Sequence, residues 1–364
     1  MIRICISKAA AVVLVCAAIG LTMSGQSAFA QSVDQGEAAL RAGNVTQARD
    51  IWEENVATGD ASAMRNLARL HYTNSIMDAD LERAHTLLSD AVAQGNGDAN
   101  LDLGYLYQNG IGVPQSLARA EAFYGKASQA GNLEAAFLHA RLVLGRKASP
   151  TETRQALAEL KATSDAGHPP AVAAVGDLFR TGTFLVKDVE KAIEYYTFAG
   201  EKGDLDALNT IGDIYAFAEL GVADIEKAAT WYERAAAQGN AASAYSLALV
   251  LYSDPEANDT DLARAFDYAQ IAALAWNEGA QFLLGRMYLE DRATIPDPFE
   301  AYRWLDLAAS ANVFEAHHYR AIAGRDLGPE RAQQAHESAA QWFTENHATP
   351  HIHRLLSGNY HSFN

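Results

Sequence analysis

Small and apolar residues recur along this chain with a period of 36. Gly59, Gly95, Gly131, Gly167, Gly203 and Gly239 mark the period. Four residues after each stands a small side chain: Ala63, Ala99, Ala135, Ala171, Ala207 and Ser243. Nine residues after each stands another: Ala68, Gly104, Ala140, Gly176, Gly212 and Ala248. A second landmark has the form A-x-x-Φ-Φ-x-x-A, with Φ apolar. It reads Ala84/Leu87/Leu88/Ala91, Ala120/Phe123/Tyr124/Ala127, Ala192/Tyr195/Tyr196/Ala199 and Ala228/Trp231/Tyr232/Ala235. One residue out of register it returns as Ala301/Trp304/Leu305/Ala308. Spacings of i, i+3, i+4 and i+7 lie on one face of a helix. The pattern predicts paired amphipathic helices that stack, because one hairpin cannot bury its apolar face alone.

The best-preserved unit is Asp98–Asn132. It predicts helix A over about 98–108 and helix B over about 115–130. Gly110 and Gly112 should break helix A, since glycine takes turn dihedrals without steric cost. Pro114 is expected in the first turn of helix B, where its missing N–H matters least. Gly131 is expected in a left-handed cap just past helix B. The unit at Glu134–Gly167 is degenerate, with Glu159, Leu160 and Thr163 where the cluster wants aromatics and alanine. It is expected to alter curvature or to expose a cleavage point near Lys147–Glu152. From Asp254 to Asp259 the loop is longer and polar, the register slips by one, and Trp276 replaces the linker glycine. Phe314–Leu327 and Pro329–Asn346 read as a last hairpin with a polar outer face of Glu330, Arg331, Gln333, Gln334 and Glu337.

The two ends read differently. Residues 1–30 have the form of a secretory signal peptide: Arg3 and Lys8, an apolar run Ala9–Leu21, and Ala28-Phe29-Ala30 before Gln31. The run is shorter than the ~20 residues a spanning helix needs. Val15 before Cys16 does not suit lipidation. Three segments are therefore expected: a leader over 1–30, a solenoid over 31–346 and a tail over 347–364. Both cysteines, Cys5 and Cys16, leave with the leader, so no disulfide or thiol chemistry is expected. Leader removal shifts the formal charge from −17 to −19. That balance argues against nucleic acid and anionic membranes as partners.

The motif A-x-x-x-L-G-x-L-Y-x-x-G-x-G-V, followed by A-x-x-[FWY]-Y-x-[KR]-A-[AS]-x-[AQ]-G, resembles the Sel1-like repeat, a relative of the tetratricopeptide repeat. Asp98–Asn132 matches nearly every position, and Asp206–Asn240 matches with a changed turn. The resemblance covers roughly Asp34–Asn346 and is similar to an exported, periplasmic branch without cysteines. It implies an all-α fold, a right-handed α-solenoid of about eight helix hairpins. It also implies a non-enzymatic scaffold role, with recognition on a concave face lined by helix A.

Outward positions of helix A then supply candidate partner contacts. The arginines Arg65, Arg69, Arg141, Arg180 and Arg286 could grip carboxylates with bidentate hydrogen bonds. Tyr72, Tyr105, Tyr245, Tyr252 and Phe282 could supply rigid contact area. The plainer expectation is that the arginines pair with neighbouring carboxylates. Asp98/Asp102 and Glu53/Glu54 read as solvated helix charges. Histidines crowd the C-terminus (His336, His347, His351, His353 and His361), but no ligand spacing supports a metal site. Gly110-Ile111-Gly112 follows a helix rather than a strand and lacks the third glycine of a nucleotide loop. No catalytic constellation is present, so no cofactor, metal or enzyme activity is expected. Two partner classes remain: an envelope protein, in regulation or assembly of the envelope or exopolysaccharide, or directly a cell-wall glycan or exported polysaccharide.

Overall fold

A computed structural model of the chain describes residues 35–73, 75 and 79–346. The leader, both cysteines and the tail histidines from His347 onward lie outside the described residues. The described helices fall into nine consecutive pairs, against an expectation of about eight. They run α1 (35–41), α2 (Val45–Ala57), α3 (Ala61–Tyr72), α4 (Leu81–Ala93), α5 (Ala99–Asn109), α6 (Leu117–Gln129), α7 (Leu133–Gly145), α8 (Pro150–Asp165) and α9 (Pro169–Thr181). They continue as α10 (Val189–Glu201), α11 (Leu205–Ala216), α12 (Ile225–Ala236), α13 (Ala241–Ser253), α14 (Asp259–Leu274), α15 (Glu278–Met287), α16 (Pro298–Ser310), α17 (Phe314–Leu327) and α18 (Pro329–Asn346). Odd-numbered helices are the A helices and even-numbered ones the B helices. The fold is an α-solenoid of helix hairpins. It divides within α8 into two compact units, one ending at Glu159 and the other beginning at Leu160.

In the first unit, α2 to α7 pack in succession. Their core holds Trp52, Leu67, Leu88, Leu106 and Tyr124, all essentially fully buried. In the second unit, α9 to α18 do the same, around Tyr196, Leu208, Ile211, Tyr232, Leu247 and Leu284.

The landmark alternation is steric. A Cβ added at Gly104, Gly176 or Gly212 would come within 2.5, 2.9 or 2.4 Å of the ring of Tyr124, Tyr196 or Tyr232, each 20 residues further on. The glycine of helix A is thus the seat of the tyrosine of helix B. At Leu88 the facing A residue is alanine (Ala68), whereas at Leu305 it is again glycine, Gly285, where a Cβ would come within 2.6 Å of the leucine. Each buried tyrosine donates its hydroxyl to a polar side chain of helix A. Tyr124 bonds Gln108 at 2.9 Å, Tyr196 bonds Asp177 at 2.6 Å and Tyr232 bonds Asp213 at 2.7 Å.

The linkers are equally regular. Gly59, Gly95, Gly131, Gly167, Gly203 and Gly239 all have left-handed φ between 82° and 100°. The residue after each accepts from a backbone N–H of the next A helix through its side chain. Asp60, Asn96, Asn132, His168, Asp204 and Asn240 play this part, and Asn277 repeats it. Such caps satisfy an otherwise orphaned donor. Asn132 and Asn240 also reach back to Asp98 and Asp206 of the preceding A helix, at 2.7 and 2.8 Å. At the seventh linker Trp276 keeps the left-handed backbone, φ 67°, without being glycine. Its indole lies 4.8 Å from Trp342 and 5.4 Å from Phe343.

Two expectations need correcting. Pro114 does not open helix B: α6 starts at Leu117 behind a Ser116 cap, so the proline sits in the loop. Asp102 is no solvated charge. It is buried, accepts from Arg65 and takes the Tyr72 hydroxyl at 2.9 Å. The loop of the degenerate hairpin is pinned. Arg146 bonds Glu121 at 2.8 and 2.9 Å and Glu152 at 2.8 Å, and the Ser149 N–H bonds Glu152 at 2.7 Å.

Candidate partner-binding surface

In the first unit the expected contacts sit on α3, α5 and α7. Arg65 pairs with Asp102 and, at 3.5 Å, with Asp98, and so ties α3 to α5. Tyr72 is buried against Tyr105, with ring centroids 6.0 Å apart. Arg69 and Tyr105 are half-buried on the same two helices. Arg141 is exposed on α7, its guanidinium 5.3 Å over the Phe137 ring.

In the second unit Arg180 of α9 grips Glu219 with bonds of 2.6 and 3.0 Å, joining it to the loop after α11. Burial holds the Asp213 carboxyl above its ordinary range, although Tyr232 donates to it.

A denser network spans three successive A helices, α13, α15 and α17. The Tyr252 hydroxyl of α13 donates to Glu290. Glu290 also takes two bonds from Arg286, at 3.0 and 2.7 Å. The Arg286 guanidinium lies 5.9 Å over Phe282 and 5.3 Å over Tyr319 of α17. Those two rings meet edge to face at 5.6 Å, and exposed His318 sits against Tyr319 at 5.5 Å. Beside them the half-buried Tyr245 ring covers Gly279, where a Cβ would come within 2.9 Å. Tyr252 itself is buried, and Arg292 covers its ring at 5.1 Å.

The structure thus brings Tyr245, Tyr252, Phe282 and Arg286 together and keeps Arg65, Arg69, Tyr72, Tyr105 and Arg141 in the other unit. Arg65, Arg180 and Arg286 already hold carboxylates of this chain, as the plainer expectation had it. Tyr72 and Tyr252 have little surface to offer. Half-exposed Phe282, Tyr245 and Arg286 keep theirs, and Tyr319 joins them. Tyr319 was missed because it lies one position beyond the register used to choose outward residues. Glu290 was missed although it stands four residues after Arg286, a pairing distance on a helix.

The Sel1 repeat pattern matches the chain six times, over residues 61–96, 97–132, 169–204, 207–240, 241–275 and 279–313. The chain belongs to the Sel1 repeat family. The one hairpin skipped between matches is α7–α8, where Glu159 replaces the aromatic. Among solved structures, the Sel1 repeat protein from Oxalobacter formigenes is 23% identical, with a TM-score of 0.57, covering 81% of this chain and 90% of that one. The protective antigen c5321 of uropathogenic Escherichia coli, which displays an SLR fold, is 21% identical, with a TM-score of 0.50. It covers 92% of this chain and 80% of its own. At these identities both likenesses speak for fold. No curated protein matches the chain. Sel1 repeat chains are scaffolds, generally without catalysis, that mediate contacts between proteins.

Proposed function

We propose that this Sel1 repeat chain is exported and acts in the periplasm as a non-enzymatic scaffold. It binds an envelope protein on its A-helix face, in regulation or assembly of the envelope or its exopolysaccharide. The observation that carries the reading is the Tyr245–Phe282–Arg286–Tyr319 network. It groups aromatic and arginine side chains, the residue types that dominate protein interfaces. Their positions are fixed in advance by Glu290 and by edge-to-face packing, which lowers the entropy lost on binding. The cleavable leader expected over residues 1–30 supplies export. Binding acts by holding the partner in one state, and loss of the scaffold releases it.

A glycan partner is less well supported. Sugars need an open ring face for stacking, and Arg286 lies over both Phe282 and Tyr319.

The test is affinity capture from cross-linked cell envelopes with the mature chain and with Phe282→Ala/Tyr319→Ala. One envelope protein held by the wild type and lost at least ~10-fold with the variant is the expected result, the scale of one or two hot-spot side chains. Equal retention by both, or saturation of the site by purified polysaccharide alone, would overturn the reading.

A further inference from the structure

Equivalent positions of successive A helices form a row along the second unit. Asp177 of α9, Asp213 of α11 and Leu249 of α13 stand 36 residues apart. Arg286 of α15, one residue out of register, carries the row into the network described above. The row changes character along its length. Its first two places are carboxylates and its third a leucine, 39% exposed. It ends at half-exposed Phe282 and Tyr319 beside Arg286.

The two carboxylates have neutral partners within the chain. Asp177 is exposed and takes the Tyr196 hydroxyl at 2.6 Å. Asp213 is half-buried and takes the Tyr232 hydroxyl at 2.7 Å and the Asn209 amide at 3.3 Å. Arg180, three residues after Asp177, is bound to Glu219. Their influences on Asp213 oppose each other: Arg180 favours its charged form and Glu219 its neutral one. Glu219 adds nothing to the row, because Arg180 holds it and Lys187 lies near. The surroundings strengthen the negative field. Between residues 160 and 346 the sequence holds 29 acidic and 14 basic residues, which accounts for most of the formal −17. Fields of this kind steer partners of opposite charge.

Spacing narrows the class of partner. Packed helices lie roughly 8–10 Å apart, so the row offers one place about every 9 Å. A polyproline II segment rises about 3.1 Å per residue with three residues per turn. Every third side chain then falls on one side, about 9 Å from the last. A β-strand covers the same step in about three residues, which puts successive contacts on opposite faces. An α-helix needs about six, which turns the second contact away.

We infer that the row receives an extended basic segment of the protein partner. Two Lys or Arg side chains three residues apart meet Asp177 and Asp213. An apolar side chain three residues further on meets Leu249 and leads to Phe282 and Tyr319. The inference rests on the scaffold reading above and specifies what its partner presents. The tyrosines beneath the two carboxylates hold them in position before binding, which limits the entropy lost.

The test is capture from envelope extracts at low and high salt, followed by cross-linking. The baits are the mature chain, Phe282→Ala/Tyr319→Ala and Asp177→Asn/Asp213→Asn. Asparagine removes the charge and keeps an acceptor for each tyrosine, so the helical circular dichroism stays that of the wild type. The expected result is that the asparagine variant retains the partner about 5- to 10-fold less well at low salt, the scale of two surface ion pairs. The difference narrows at high salt. A photoreactive analogue at Leu249 cross-links a partner segment that mass spectrometry shows to carry two Lys or Arg residues three apart. If the asparagine variant retains the partner fully while the Phe282/Tyr319 variant loses it, the inference is overturned and the scaffold reading stands. Equal retention by all three baits overturns both. An adduct from position 249 in a neutral or acidic segment, or no adduct there, also overturns the inference.

Discussion

Trp276 shows how a single residue can break the repeat's rule and be retained by packing. Every earlier linker uses glycine for left-handed backbone, and a bulky residue there costs about 1–3 kcal/mol. The indole recovers this through Trp342 and Phe343. Removing a large buried aromatic costs about 3–5 kcal/mol, somewhat less for a half-buried one. Packing should therefore win. Trp276→Gly should lower stability by about 1–2 kcal/mol in urea unfolding despite relieving the backbone. An unchanged or raised midpoint would show that the aromatic contact contributes little. The Gly212–Tyr232 pairing follows the same logic in reverse. The small residue was legible from its 36-residue spacing, but its reason, a tyrosine ring above it, becomes visible only once the hairpin is folded.

Among the elements, the hairpin α7–α8 departs from the rest. Where its neighbours stack aromatics, as Tyr107 on Phe123 at 5.5 Å, it sets Glu159 against His139 at 2.7 Å and Ser128 at 2.5 Å. The hydrogen bond that the His139 ring donates to the Glu159 carboxylate raises the His139 pKa above its usual value near 6.5, aided by Glu121 and opposed by burial and Arg146. Burial works against the Glu159 charge, but its bonds from His139 and Ser128 prevail and hold the carboxyl below its ordinary range. The signs combine simply. The raised histidine stabilises fully below pH about 6.5 and loses its contribution as pH rises through its folded pKa. The lowered carboxyl stabilises above pH about 4.5 and loses its contribution as pH falls through its folded pKa. The pair therefore helps most between about pH 4.5 and 6.5. His139→Gln should cost about 1 kcal/mol near pH 6 and little near pH 9. Urea unfolding at the two pH values would check it, and an equal cost at both would remove the ion pair from the account. Helix positions here were readable in advance: α17 and α18 fall on the expected Phe314–Leu327 and Pro329–Asn346. The polar wiring was not. Arg65–Asp102, Arg180–Glu219 and Tyr252–Glu290 join residues 37, 39 and 38 apart, in neighbouring hairpins. Which charges meet depends on how the hairpins stack, and no local periodicity records that. The caps Asp60, Asn96, Asn132 and Asn240 were readable, since each follows a landmark glycine, yet they drew no notice beside it.

On the scale of the molecule, the acidic balance and the regular repeat leave recognition to surfaces rather than to reactive groups. No helix among the described residues is long and apolar enough to cross a membrane. The central claim is that a protein partner sits on the A-helix face of α13, α15 and α17. A photoreactive phenylalanine analogue placed at Phe282, and separately at Glu330 on the polar outer face, tests it most directly when cross-linked in intact envelopes. The account predicts one protein adduct from position 282 and none from position 330. Adducts of equal yield from both positions, or none from 282, would contradict it.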